Sequence, residues 1–312
     1  MSTDVVCVGV MVADVLADGV DNGIFDRDIT RVSMVKLATG GDAFNQAINI
    51  SALGYNVKLC GKVGQDGVGT YLLAEGANHH IDMSSVKTTN EYPTSISIVL
   101  INKNGERNFI GNARGTNSSL CSNDIDISCF KGAKIVSLGS LYGSLSLDGE
   151  AAKYVLSHAK EVGCITVSDM MHADRHSLED AKLCLPYIDY FLPNFEEASQ
   201  LTGKKDLNEI ADTLLSLGVK NVLIKLGRDG VFIKNSQLCT KVPAYLTEPI
   251  DTTGAGDAMV SGFISGLLDN CDIVDAAKRG CAAGSIAVRS IGATGGIHSK
   301  SQLLEITNPE QH

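Results

Sequence analysis

From about residue 132 the sequence alternates short apolar runs with amphipathic stretches of helical length, and this alternation leaves few folds open. Ile135–Leu138 reads as a strand, 149–162 as a helix, Ile165–Ser168 as a strand, 177–185 as a helix and Tyr190–Leu192 as a short strand. Helices over 195–202 and 206–217 follow, then strand Val222–Lys225, a hairpin through Asp229-Gly230 to Ile233, and helices over 255–269 and 272–289. Strands and helices alternating at this spacing predict a mostly parallel sheet covered by helices on both faces. Upstream, Val5–Val10 is a β-branched run with the character of a buried strand. Gly40-Gly41 precedes a helix whose Phe44, Ala47, Ile48 and Ala52 share one face and which Gly54 stops. Val57–Val63 reads as the next strand, and 64–80 as a loop with a short helix. Two strand-rich pieces, 11–39 and 90–115, interrupt the pattern. The second alternates over 94–101 and turns at Asn104-Gly105, a hairpin signal. These pieces are expected to form a small β lid on a single α/β domain spanning 1–312.

With 312 residues, 44% of them hydrophobic, the chain can bury a large core. Gly is frequent (32) and Pro scarce (6), which suits many tight strand-to-helix turns. The net charge of −10 and the lack of a Lys/Arg cluster argue against a nucleic-acid-binding face. A phosphate-bearing ligand would therefore be held by local devices: backbone amides, a few Lys/Arg and a metal ion. The nine Cys form no C-x-x-C pair and sit mostly in apolar segments. They read as reduced, buried thiols of a cytoplasmic protein. The start, MSTDVVCVGVMVADVL, reads as a first strand rather than a signal peptide. No run reaches the roughly 18 apolar residues of a membrane span.

The densest chemical signal is D-T-T-G-A-G-D-A, beginning at Asp251 and passing into a helix near Ala255. Small residues Gly254-Ala255-Gly256 let the backbone approach a ligand closely, and their amides stand at a helix N-terminus, where unpaired N–H groups favour an anion. Asp257 lies in the first turn beside that anion site. Amides that neutralise a moving phosphoryl group, next to a carboxylate that accepts a hydroxyl proton, are what phosphoryl transfer requires. A plainer reading makes Asp257 a favourable charge on the helix dipole and the glycines a turn.

This string resembles the C-terminal signature of the ribokinase-like (PfkB) family of carbohydrate kinases. Three other segments resemble the family in the same order. They are Gly40-Gly41-Asp42-Ala43-Phe44-Asn45 through Leu53-Gly54, then P-N-F-E-E from Pro193 to Glu197, then K-L-G-R-D-G-V-F from Lys225 to Phe232. Together they cover essentially the whole chain. The resemblance implies a ribokinase-like three-layer α/β/α fold with a β-sheet lid. It also implies ATP-dependent phosphorylation of a sugar hydroxyl, with Asp257 as base and the amides of Gly254, Ala255 and Gly256 as the anion hole. Asp14, Gly41, Asp42 and Asn45 would bind the sugar. Asn194, Lys225, Gly227, Gly230 and Thr252 would bind ATP. Glu197 and Asn194 would act near Mg²⁺, partly through water. Asp251 and Thr253 would hold a monovalent cation, K⁺, completed by carbonyls near Ser290–Gly295. A homodimer through the lid is expected, with no nucleic acid and no membrane as partner.

Alternatives stay open at several positions. Asn194 and Glu197 alone read as an N-cap and its capping-box partner, and Asp14 as a strand-end turn. Many ribokinases have Gly-Gly-Lys-Gly-Ala-Asn where this chain has Gly-Gly-Asp-Ala-Phe-Asn, so Asp42 reverses a charge and ribose is not implied. Arg107 and Arg114 could meet an anionic substrate or simply be solvated. Phe109 and Tyr92 could stack on a base, which keeps a nucleoside kinase open, as is a ligand-binding protein of kinase fold with little turnover. His172 and His176 lack the Glu of H-E-x-x-H and read as a polar loop. No P-loop string, dinucleotide fingerprint or G-x-S-x-G elbow occurs.

Overall fold

A computed structural model describes residues 2–104, 106–171 and 178–307. His172 and His176 lie outside the described residues. Fourteen strands are present among the described residues. They are β1 (Val5–Gly9), β2 (Val12–Val20), β3 (Met34–Gly40), β4 (Val57–Cys60), β5 (Lys62–Gly64), β6 (Lys87–Thr89), β7 (Ile96–Asn102), β8 (Arg107–Gly111), β9 (Ile135–Leu141), β10 (Ile165–Met170), β11 (Tyr190–Phe191), β12 (Asn221–Lys225), β13 (Val231–Lys234) and β14 (Cys239–Val242). The helices are α1 (Asp42–Ala52), α2 (Gly67–Asn78), α3 (Thr116–Ser119), α4 (Glu150–Glu161), α5 (Leu178–Cys184), α6 (Phe195–Thr202), α7 (Leu207–Ser216), α8 (Ala255–Leu268), α9 (Ile273–Ala287) and α10 (Lys300–Thr307).

The main sheet has the order β14-β13-β12-β11-β10-β9-β1-β4 and is parallel except at β12/β13 and β13/β14. Strand β1 is buried throughout, and its side chains alternate between two cores. Val6 and Val8 pack with Val155, Leu156, Leu201 and Leu214 of α4, α6 and α7. Val5 and Cys7 pack with Phe44, Ile48, Val260 and Phe263 of α1 and α8. This period-2 division is why the strand needs apolar residues at every position. The chain runs from β1 to β4 on one side and later returns through β9 on the other. The order therefore reverses between β1 and β9, and in such sheets a crevice opens there beyond the carboxyl ends of the strands.

A second sheet, β3-β2-β7-β8, stands apart from the first. Its pairs are antiparallel except β2/β7, which is parallel. Its strands occupy 12–40 and 96–111, within a residue of the expected first piece and inside the expected second one.

The expected strand Val57–Val63 is in fact two. It breaks at Gly61, where a Cβ would lie 2.8 Å from Met11 Sδ and 3.0 Å from Gly9 O. β4 then stays in the main sheet while β5 pairs with β6. Among the described residues no helix is long and apolar enough to cross a membrane, and all nine cysteines are free.

Candidate active site

The N-termini of α1 and α8 converge at the switch point. Gly40 ends β3, and Gly41 turns the chain into α1 with φ 89°, where an added Cβ would lie 2.5 Å from Val10 O. That turn brings Asp42, Asn45 and Gln46 to the crevice within the first turns of α1. Gly254 (φ 70°, ψ 5°) plays the corresponding part before α8 and packs against Ala293.

Asp257 is buried between them. Asn45 Nδ2 donates to its Oδ2 at 2.9 Å, and Gln46 Nε2 approaches its Oδ1 at 3.4 Å. Burial, and then the Asp42 carboxylate, push the Asp257 carboxyl well above its ordinary range, while the Asn45 hydrogen bond opposes them. Gln46 is fixed in turn by Ser137, whose hydroxyl donates to its Oε1 at 2.7 Å. Asn45 Oδ1 is buried and has no partner among the described residues. Buried acceptors in folded proteins are as a rule paired, so this one calls for a donor beyond the described side chains.

Asp42 accepts a hydrogen bond from Ser140. Asp14, on β2, is pressed against Gly40, whose missing Cβ makes the room. Burial and the neighbouring Asp42 raise its carboxyl to about 6.

On the other side of Asp257, Lys225 at the end of β12 donates to both oxygens of Asp169, at 2.6 and 2.7 Å. Burial opposes the lysine's charge, but Asp169 and Glu197 hold its pKa above the ordinary value. Its Nζ lies 3.3 Å from where a Cβ on Gly256 would be, directly against the turn into α8. Asn194 and Glu197 form a reciprocal capping box on α6, with Glu197 N to Asn194 Oδ1 at 2.8 Å and Asn194 N to Glu197 Oε2 at 2.7 Å. The local reading of N-x-x-E is thus realised. Burial nevertheless raises the Glu197 carboxyl to about 7, with Asp169 and Asp42 adding to it and Lys225 opposing.

Two cavities meet at the turn 252–257. The larger, about 560 Å³, is bordered by Lys225, Gly227, Gly230, Thr252, Ala255 and Gly256. The smaller, about 380 Å³, is bordered by Asp14, Gly41, Asp42, Asn45, Gly254 and Asp257, with Thr253 and Phe109 beside them. Asp251 belongs to neither; it is buried behind the turn and pairs with Arg107.

All the residues expected from the sequence to act on a sugar therefore border one cavity. Of those expected at the nucleotide, Lys225, Gly227, Gly230 and Thr252 border the other. Arg114 is exposed and borders neither, and Tyr92 instead lies under the Lys62 ammonium, 5.7 Å from the ring centroid. Sequence reasoning did not single out Asp169, Gln46, Ser137 or Ser140. Asp169 at the carboxyl end of a predicted strand was the one discernible signal.

The pattern of the pfkB family carbohydrate kinases matches residues 2–300. An ATP-dependent 6-phosphofructokinase of Thermoanaerobacterium thermosaccharolyticum is 28% identical over 299 residues, covering 93% of this chain and 89% of that protein. A ribokinase of Staphylococcus aureus is 32% identical over 275 residues, 86% of each. The structure of Arabidopsis thaliana ribokinase complexed with ribose and ATP superimposes with a TM-score of 0.85 at 23% identity, covering 99% of both chains. The chain is a member of the pfkB family of carbohydrate kinases.

Proposed function

We propose that the chain transfers the γ-phosphoryl group of ATP to a hydroxyl, primary in the simplest case, of an uncharged sugar or sugar-like polyol, with Asp257 as general base. The observation that carries this reading is the turn 252–257 standing as the wall between two cavities. Gly254 and Asp257 border the smaller one, while Ala255 and Gly256 border the larger. A hydroxyl on one side and a triphosphate on the other would meet across it.

The smaller cavity suits a polyol. Asp14 and Asp42 offer acceptors, and the open Asn45 Oδ1 offers another. Hydroxyls can donate to all three. A substrate carboxylate or phosphate would face three aspartates, and among the described residues no lysine or arginine borders this cavity. Of the two arginines the sequence singled out, Arg107 is committed to Asp251 and Arg114 is exposed. Phe109 borders the cavity and could stack on a base, which keeps nucleosides among the substrates to test.

In the step itself, Asp257 accepts the hydroxyl proton as that oxygen bonds to the γ-phosphorus. The bond from the γ-phosphorus to the bridging oxygen breaks, and ADP leaves with the electron pair. A base whose pKa is lifted by burial is better matched to this task than an ordinary aspartate. The amides of Gly254, Ala255 and Gly256 stabilise charge on the moving group, and Lys225 is placed to meet the phosphates. Among the described residues no three acidic or His/Cys side chains gather to hold a metal by themselves, so Mg²⁺ would come with the phosphates of ATP, with the carboxylates of Asp169 and Glu197 close to Lys225 as its hard oxygen neighbours. Bound there with ATP, Mg²⁺ would supply neutralisation of phosphate charge. The second sheet acts as a lid that keeps water from the phosphoryl group. Its outer face exposes Val35, Leu37, Ile98 and Ile110, and its edge strands β3 and β8 are unpaired on one side. We infer that a second copy of the chain covers them in a homodimer.

The test is ADP release from Mg-ATP across neutral sugars, keto-sugars, sugar acids, sugar phosphates and nucleosides, with Asp257→Asn as control. Asp257-dependent turnover confined to neutral polyols supports the proposal. Preference for an acidic or phosphorylated sugar overturns the substrate class. A ligand that raises the melting temperature without any turnover favours a binding protein.

A further inference from the structure

One buried ion pair ties the second sheet to the loop ahead of the anion hole. Arg107, the first residue of β8, donates through Nη2 to Asp251 Oδ1. The two side chains are 17% and 6% exposed, so the pair is largely out of water. Asp251 Oδ1 also accepts the Thr253 amide at 2.7 Å, and its Oδ2 accepts the Gly292 amide at 2.8 Å. Upstream, the amides of Ile250 and Asp251 donate to Val288 O at 2.7 and 3.1 Å. One carboxylate thus gathers β8, the turn into the anion hole and the stretch after α9. Gly254 lies three residues on and packs directly on Ala293 of that same stretch. Burial would push the Asp251 carboxyl up, but the Gly292 and Thr253 amides and the Arg107 charge hold it below its ordinary range.

This is where the family resemblance would put a monovalent cation, and the atoms present do not fit one. The Asp251 carboxylate is met by two backbone amides, a guanidinium and the Thr253 hydroxyl, all of them donating hydrogen bonds to it. Gly292 presents its amide to Asp251, whereas a hard metal cation is held by oxygens. Positive charge is already in place, and a second cation beside a buried guanidinium would be repelled strongly where little water screens it. A buried carboxylate stripped of its cation would in turn be costly.

We propose that Arg107 is the built-in cation of the Asp251 loop, so that catalysis by this chain does not depend on K⁺. The inference rests on the kinase reading for its catalytic consequence. Arg107 borders neither cavity and is a positioning residue: it holds Asp251, and Asp251 holds the turn that carries Gly254 to Asp257. Its charge is supplied by the second sheet rather than by solvent.

The experiment compares wild type, Arg107→Ala and Arg107→Lys in K⁺, Na⁺ and tetramethylammonium at matched ionic strength. The melting temperature is read first, without any substrate. Wild type and Arg107→Lys are expected to melt at one temperature in all three salts, and Arg107→Ala to gain stability in K⁺ only. Turnover of Arg107→Ala should fall by about tenfold or more without K⁺ and recover in it, within the range of ordinary effector coupling. Wild type whose turnover or melting temperature rises with K⁺ overturns the proposal, as does an Arg107→Ala enzyme as active as wild type and indifferent to K⁺. If Arg107→Ala does not fold, the salt response of wild type and Arg107→Lys decides alone. If no compound releases ADP, the kinase reading fails while the melting comparison still judges the cation.

Discussion

Gly254 and Gly203 offer a matched pair of substitutions. Both occupy the left-handed region, Gly254 at φ 70°, ψ 5° and Gly203 at φ 69°, ψ 13°. A Cβ on Gly203 would meet nothing within 4 Å, whereas one on Gly254 would lie 2.5 Å from both Cα and O of Ala293. Gly203→Ala therefore costs the left-handed penalty alone, about 1–2 kcal/mol. Gly254→Ala adds the displacement of packed backbone, a further 1–3 kcal/mol or so by analogy with overpacked cores. The 252–257 turn can relieve that contact only by moving the amides it carries. Losing one well-placed donor of this kind lowers turnover by roughly 10²–10³. Chemical denaturation and steady-state turnover of the two variants are the assays. Gly203→Ala should be mildly destabilised and fully active, and Gly254→Ala more destabilised and at least about a hundredfold slower. Equal losses of stability with near-normal turnover in Gly254→Ala would refute the idea that contact with Ala293 shapes the anion hole.

Four further outcomes are expected. Asp257→Asn should keep the fold and lose about 10²–10⁴ in turnover, the usual share of a general base, with circular dichroism and melting as the fold control. Wild-type turnover should fall with acid at pH values well above those of an ordinary aspartate, because burial raises the Asp257 carboxyl and the base must be ionised. Asp14, raised to about 6, holds its proton in the folded chain between about pH 4 and pH 6, where the unfolded chain has lost it. Its contribution to stability is therefore present at low pH and is lost as pH rises through that window. Asp14→Asn should flatten the corresponding fall in a pH series of denaturation midpoints, and an unchanged slope would count against the assignment. A charge placed on the outer face of the second sheet, as in Val35→Lys with Ile110→Glu, should shift sedimentation from dimer to monomer; a wild-type monomer at micromolar concentration would sink the dimer.

Much of the site was legible because its parts are contiguous in sequence. Asp257 follows Gly254 within three residues, and Asn45 follows Gly41 within four, so these sequence segments and the lining of the smaller cavity coincide. The alternation after residue 132 likewise reports a sheet whose strands are buried on both faces. What stayed hidden is non-local. Lys225 is drawn to Asp169 across 56 residues, and Arg107 to Asp251 across 144. Neither pairing follows from spacing, because sheet order and register set both. The break at Gly61 was invisible for a similar reason: the side chain that crowds it, Met11, belongs to another strand connection. The capping box at Asn194 shows the converse, since a local rule was satisfied in full although the residue is also bridged to Lys225, which borders the larger cavity.

The junctions between the two sheets carry a mechanical consequence. β1 ends at Gly9 and β2 begins at Val12, while β3 ends at Gly40 and α1 begins at Asp42. The intervening Val10, Met11 and Gly41 form short, packed hinges, two of whose residues are fully or almost fully buried hydrophobics. Asp14 rides just beyond one hinge, and Asp42 and Asn45 just beyond the other. A tilt of the second sheet is therefore a lever acting on the groups that surround Asp257. Swinging outward would carry Asp14 away from Asp42 and the smaller cavity, while Asn45 stays packed in α1 against Asp257, and swinging inward would restore it, so that closing over a substrate and completing its polar lining become one motion.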